Sequence, residues 1–138
     1  MKHTILLILA VVYLNNKITQ NAFKLVLKQE EIKITSFIVT ATMYQPVASQ
    51  CDSTPLITAN GSKINPKTAS RKKWIAVSRD LLKTFNYGDK VKITNAGKKN
   101  GIYIIVDCMS KKYGKRIDFL ESVNTKPYKF KNVILTKV

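Results

Sequence analysis

Two aspartates stand eleven positions apart, in Val106-Asp107-Cys108 and Arg116-Ile117-Asp118-Phe119, each beside an apolar, β-type stretch. The chain has five Asp and three Glu against 21 Lys and three Arg. A carboxylate at the end of an apolar strand is costly to bury unless it is paired or functional. Asp107 and Asp118 are therefore either a structural pair, bonded to backbone amides or to Arg116, or an acid–base site.

Most other chemistries are excluded by what the chain lacks. Its single histidine, His3, lies at the edge of an apolar N-terminal run. That removes Ser-His and Cys-His nucleophiles and histidine metal sites from the remainder of the chain. The two cysteines alone make no zinc site, and no Gly-rich phosphate loop is present. No cofactor and no metal are expected. The carboxylates left for acid–base work are Asp52, Asp80, Asp89, Asp107, Asp118 and Glu121. Asp89 follows Gly88 and suits a solvated turn, Asp80 suits the start of a helical turn, and Glu121 suits a solvent-facing site. Asp52 suits an Asx turn.

The elements that must position Asp107 and Asp118 are short. Residues 37–44 are β-branched and aromatic and predict a strand. Residues 45–55 carry two prolines and read as a loop. Residues 56–59 predict a short strand ended by the Asn60-Gly61 turn signal. Residues 62–73 form a basic loop, and 74–77 another strand. Residues 78–83 suit one short helical turn capped by Ser78. After the Tyr87-Gly88-Asp89 turn, residues 90–93 alternate as a half-buried strand. Residues 101–106 are the most apolar strand, 108–115 a loop, 117–120 a strand and 132–138 a closing strand. With no long helical period after residue 36, this spacing indicates a small closed barrel or sandwich.

Composition sets the setting. The 138 residues suffice for one domain, and 45% hydrophobic content is that of a globular chain. The formal charge of +16 invites polyanions. Its lysine bias and scatter argue against nucleic-acid reading, where arginine forks dominate. Residues 4–14 (TILLILAVVYL), behind Lys2 and His3, have the length of a signal-peptide core. Residues 1–22 are thus expected to be an export signal, or an anchor holding the chain to the membrane if uncleaved, and 23–36 a linker or entry strand. The chain would then reach the periplasm, cell envelope or medium, as a monomer. In an exported chain, Cys51 and Cys108 suggest a disulfide, worth about 4 kcal/mol by loop entropy. The alternative is two buried thiols.

The segments Ile57-Thr58-Ala59-Asn60-Gly61, Ile75-Ala76-Val77-Ser78, Tyr87-Gly88-Asp89-Lys90-Val91, Val106-Asp107 and Gly114-Lys115-Arg116-Ile117-Asp118-Phe119 together resemble the bacterial three-aspartate (Asp-Asp-Asp, "3D") domain. That family is similar to the catalytic part of membrane-bound lytic transglycosylase A. The resemblance covers about residues 38–138, and the Asp107-to-Asp118 interval is its most specific part. It implies a mainly β, six-stranded double-psi β-barrel with one short helix over residues 37–138. It implies that Asp118 is the catalytic acid and Asp107 a second member of the aspartate cluster. Ser78 stands where the family has its first aspartate, and Asp80 or Asp52 is the candidate to replace it. Met109 and Ser110 replace the usual glycines.

Lytic cleavage of peptidoglycan strands fits this residue set. It can proceed on one principal carboxylate, because the muramic acid's own C6 hydroxyl attacks with a proximity advantage. Asp107 would raise the pKa of Asp118 by like-charge coupling. Tyr44, Thr58, Lys115 and Arg116 are the candidate substrate-binding residues, with Tyr44, Tyr103 or Tyr113 placed to stack on sugar rings, although core packing suits Tyr103 better. Anionic wall polymers are a further expected partner. The competing expectation is a barrel that binds wall glycan without cleaving it.

Overall fold

The structure is a computed structural model that describes residues 2–31, 35–51 and 53–138. It divides into two units, Met1–Ile34 and Thr35–Val138. The first holds a single helix, α1, Lys2–Glu31. Its apolar side chains at Ile5, Leu6, Leu7, Ile8 and Leu9 are exposed. No Gly or Pro interrupts the segment, and its Leu, Lys, Gln and Ala are good helix formers. The helix therefore continues well past residue 22, where a linker or entry strand was expected. No described helix is long and apolar enough to cross a membrane.

The second unit is mainly β. Its strands are β1 (Ser36–Tyr44), β2 (Trp74–Val77), β3 (Lys90–Thr94), β4 (Gly101–Cys108), β5 (Arg116–Leu120) and β6 (Phe130–Lys137). They form one mixed sheet in the order β1-β5-β2-β4-β3-β6, and β6 pairs back onto β1 to close a barrel. The pairs β1–β5 and β2–β4 are parallel, and the other four are antiparallel. Parallel neighbours need long crossover connections. The segment between β1 and β2 is one of these, and it supplies much of the site described below.

Strand alternation divides the side chains between two cores. Val39 and Ala41, Ile75 and Val77, Tyr103 and Ile105, and Ile117 and Phe119 meet inside with Val91, Ile93, Val133, Leu135, Leu81 and Phe85. Each fully buried large side chain among them stabilises the fold by about 1.5–3 kcal/mol. Tyr103 packs edge-on against Phe119, with ring centroids 5.0 Å apart, so its place is the core. The alternate positions Tyr44, Ala76 and Leu120 join a second cluster with Ile64, Ala69 and Met109. The β1–β2 connection thus packs Ile64 and Ala69 onto the other face of the sheet.

Three local expectations change. Residues 56–59 form no strand, only an isolated bridge between Ile57 and Lys63. Their hydrogen bonds go instead to the turn around Gly61 (φ +85), where Gly61 N donates to Thr58 O at 2.8 Å. The expected helical turn is a 3-10 segment at Leu81–Lys83, and two more lie at Ala69–Lys72 and Gly97–Lys99. Ser78 does not cap that turn with its side chain. Its hydroxyl accepts the Arg116 amide at 3.0 Å, which ties β2 to β5.

Candidate active site

One row of the sheet crosses four strands. Thr42 on β1 is paired with Asp118 on β5, Asp118 with Ala76 on β2, and Ala76 with Asp107 on β4. Residues in register across neighbouring strands share a face. The small Ala76 thus lies between the two aspartates. Asp107 reaches this face because of a bulge. Ile75 pairs with Ile105, but Ala76 pairs with Asp107, so Val106 is an extra residue on β4. Without it, plain alternation from Tyr103 and Ile105 would turn Asp107 into the hydrophobic interior. One inserted residue re-aims every later side chain.

Both aspartates line a single groove of about 840 Å³. Its walls include Thr42–Tyr44 from β1, parts of the 49–59 connection, the end of β4 at Asp107 and Cys108, and Met109, Ser110, Lys112 and Tyr113 beyond it. Asp118 accepts a hydrogen bond from the Thr42 hydroxyl. Burial pushes its pKa up, while the Thr42 bond and the Arg116 charge pull it down, and burial wins. Asp118 therefore keeps its proton to a higher pH than an ordinary aspartate. The shift comes from desolvation. Like-charge coupling to Asp107, the expected origin, is not among its causes.

Asp107 is occupied differently. Its Oδ1 accepts the Ala59 amide at 3.0 Å and the Cys108 amide at 2.9 Å, and its Oδ2 accepts the Tyr44 hydroxyl at 3.1 Å. Asn60 N adds a bond to Val106 O at 3.1 Å. Asp107 thereby fastens the Thr58–Asn60 stretch to β4. Tyr44 is only 8% exposed, and burial followed by the Asp107 charge drives its pKa far up, so its hydroxyl stays protonated and donating.

The remaining expected site residues separate clearly. Tyr44 borders the groove, with its ring packed in the second apolar cluster. Thr58 borders the groove but is 3% exposed, its hydroxyl donating to Asn60 Oδ1 at 2.7 Å and accepting from Ser62 N at 3.1 Å. Arg116 lines the groove and Lys115 does not. Lys115 has a left-handed backbone (φ 46) whose amide donates to Asp80 Oδ2 at 2.9 Å and whose carbonyl accepts Thr40 N at 3.0 Å. Asp80 is exposed and outside the groove. Against a burial penalty, hydrogen bonds from the Ser78 side chain and the Lys115 amide hold its pKa below the usual carboxylate range. Its carboxylate clamps the Lys115 amide. Asp52 lies outside the described residues.

Cys51 and Cys108 both border the groove, but as thiols, and the expected bridge between them is not formed. Cys51 Sγ donates to Gln45 O at 3.4 Å, and Cys108 is hydrogen-bonded by Tyr87. Glu121, expected in solvent, is 2% exposed. It accepts from Ser70 Oγ at 2.6 Å, from Lys99 Nζ and from the Tyr128 hydroxyl.

Thr42, Arg79 and Lys112 are among the groove residues that escaped the sequence reading. Thr42 carried a signal, since it alternates with Ala41 and Met43 on a predicted strand. Arg79 and Lys112 carried none among so many cations. Among the described residues, no three His, Cys, Asp or Glu side chains come together as a metal site would require. No family model matches the chain, and no curated protein is significantly similar to it.

Proposed function

We propose that the chain is an exported double-psi β-barrel protein of the three-aspartate kind, which binds peptidoglycan and cleaves its glycan as a lytic transglycosylase. The observation that carries this reading is one groove holding two carboxylates of opposite character. Asp118 is proton-retaining through burial, and Asp107 is bound on both oxygens. The closed six-strand sheet with two parallel pairs supports the barrel type. The exposed apolar stretch of α1 supports an export signal or anchor.

The division of labour favours transglycosylation over hydrolysis. Hydrolysis by two carboxylates needs the second to activate water or attack the sugar. Asp107, with two backbone amides on one oxygen and a phenol on the other, is poorly placed for either task. In a lytic reaction, Asp118 donates its proton to the glycosidic oxygen between MurNAc and GlcNAc, and the bond from that oxygen to C1 breaks. The C6 hydroxyl of the same muramic sugar then bonds to C1 and gives its proton to Asp118. The acid is regenerated, a 1,6-anhydro sugar forms, and no water is consumed. The +16 chain charge favours contact with anionic wall polymers.

The competing reading, a barrel that binds wall glycan without chemistry, leans on Ser78 in place of an aspartate. That position is fully buried, hydrogen-bonded to the Arg116 amide, and not part of the groove lining. Its identity bears on the fold more than on the reaction. Digestion of purified sacculi decides between the two. Wild type is expected to release 1,6-anhydromuropeptides, and Asp118→Asn to release at least about a hundredfold less. Retained sacculus binding with no product from wild type would select the binding module.

A further inference from the structure

The groove is rich in cations of the scarcer kind. Arginine accounts for three residues of the chain, and two of them, Arg79 and Arg116, line this one groove together with Lys112. Neither arginine forms an ion pair among the described residues, where the salt bridges are Lys99–Glu121 and Lys137–Asp89. Arg116 is also pre-positioned. Its amide is held by Ser78 Oγ at 3.0 Å, its carbonyl accepts Ser78 N at 2.9 Å, and its guanidinium lies 4.7 Å from the centroid of the Tyr113 ring. A guanidinium stacked on an aromatic face loses little freedom when it binds a carboxylate.

The position of Arg116 narrows the ligand. It lies two residues before Asp118 on β5, so the two residues share one face at a separation of about 7 Å. That distance is about one sugar ring. Arg79 lines the same groove, near enough to Tyr87 for its charge to oppose the upward shift of that phenol. A cation beside the acid works against it, since the Arg116 charge pulls the Asp118 pKa down. The placement makes chemical sense if the substrate brings an anion that neutralises Arg116 on arrival.

We propose that the groove selects glycan whose sugar beside the scissile bond carries a free carboxylate, and that Arg79 and Arg116 are the residues that select it. This rests on the glycan-cleaving reading above. On muramic acid that group is the lactyl carboxylate with its peptide removed. The groove therefore acts after an amide hydrolysis, in which water splits the lactyl amide into the carboxylate and the peptide's amine. Peptide carboxylates lie farther from the ring on a flexible chain and match the short Arg116-to-Asp118 spacing poorly.

The test is calorimetric binding of the full chain to three oligosaccharides of equal length. These are a neutral chitin oligomer, a peptide-free muramyl oligomer with free carboxylates, and the same muramyl oligomer with its peptides attached. Wild type is expected to bind the free-carboxylate oligomer about tenfold more tightly than either of the others. In Arg116→Gln that ratio falls towards one, and Arg79→Gln lowers it partway, with circular dichroism confirming that both variants are folded. Equal binding of all three by wild type overturns the proposal and leaves the glycan reading standing. A ratio that survives in folded Arg116→Gln overturns it as well. Binding of none overturns both. Selective binding without cleavage of sacculi upholds the selection and removes the catalytic step.

Discussion

At the scale of the residue, Asp118 is set by opposing influences. Burial favours its neutral form, whereas the Thr42 hydroxyl and the Arg116 charge favour the carboxylate. In the proposed reaction Asp118 is the general acid and must be protonated, so activity is expected to fall as pH rises through its pKa. Thr42→Val removes a bond that stabilises the carboxylate, and its pH–rate profile should lose activity at a higher pH than wild type. Asp118→Asn makes the complementary statement about stability. A carboxyl whose folded pKa is raised stabilises the fold less as pH climbs from its unfolded value to its folded one. Replacing it with a neutral amide, which can still accept the Thr42 hydroxyl, should raise Tm at pH 7 while abolishing product release. A residue whose loss harms activity and helps stability is the signature of a functional site.

At the scale of the element, the site depends on the Val106 bulge and on the connection fastened by Asp107. Asp107→Ala strands the Ala59 and Cys108 amides and the Tyr44 hydroxyl. The expected cost is about 2–4 kcal/mol in urea unfolding. Amide exchange at Ala59 should accelerate more than exchange in β3, which is remote from the loosened segment. The strands themselves were legible in the sequence, because β-branched alternation in 37–44, 74–77 and 90–93 states both their existence and their inward faces. The bulge was not legible. Tyr103, Ile105 and Asp107 read as a single face until the pairing with β2 is known, and pairing is a long-range property. The same limit hid the role of Asp80, whose partner Lys115 is distant in sequence, and the extension of α1, where a polar Lys-rich stretch looked like a tether.

At the scale of the whole molecule, Glu121 holds distant parts together. Its carboxylate joins the end of β5 to Ser70 in the β1–β2 connection, to Lys99 after β3 and to Tyr128 before β6. Burial alone would raise its pKa, but the bonds from Lys99, Ser70 and Tyr128 outweigh burial and hold it below the ordinary glutamate value. Its contribution is therefore complete above the unfolded pKa of about 4.3 and is lost as pH falls through the lower folded value. Glu121→Gln should cost about 2 kcal/mol at pH 7 and flatten the acid side of the Tm–pH curve. Its sequence context, just past an apolar strand, suggested solvent. Only the convergence of three separate segments makes it a core residue.

The groove's own contacts are long-range ones. Thr42 meets Asp118 across 76 positions, and Tyr44 meets Asp107 across 63. Closing loops of that size costs entropy before any contact repays it, which slows the steps that depend on them. The acid environment consequently exists only once β1 and β5 have paired. Until β1 and β5 lie side by side, Asp118 is an ordinary solvated aspartate, and a nascent or partly folded copy carries the residue without the burial that raises its pKa.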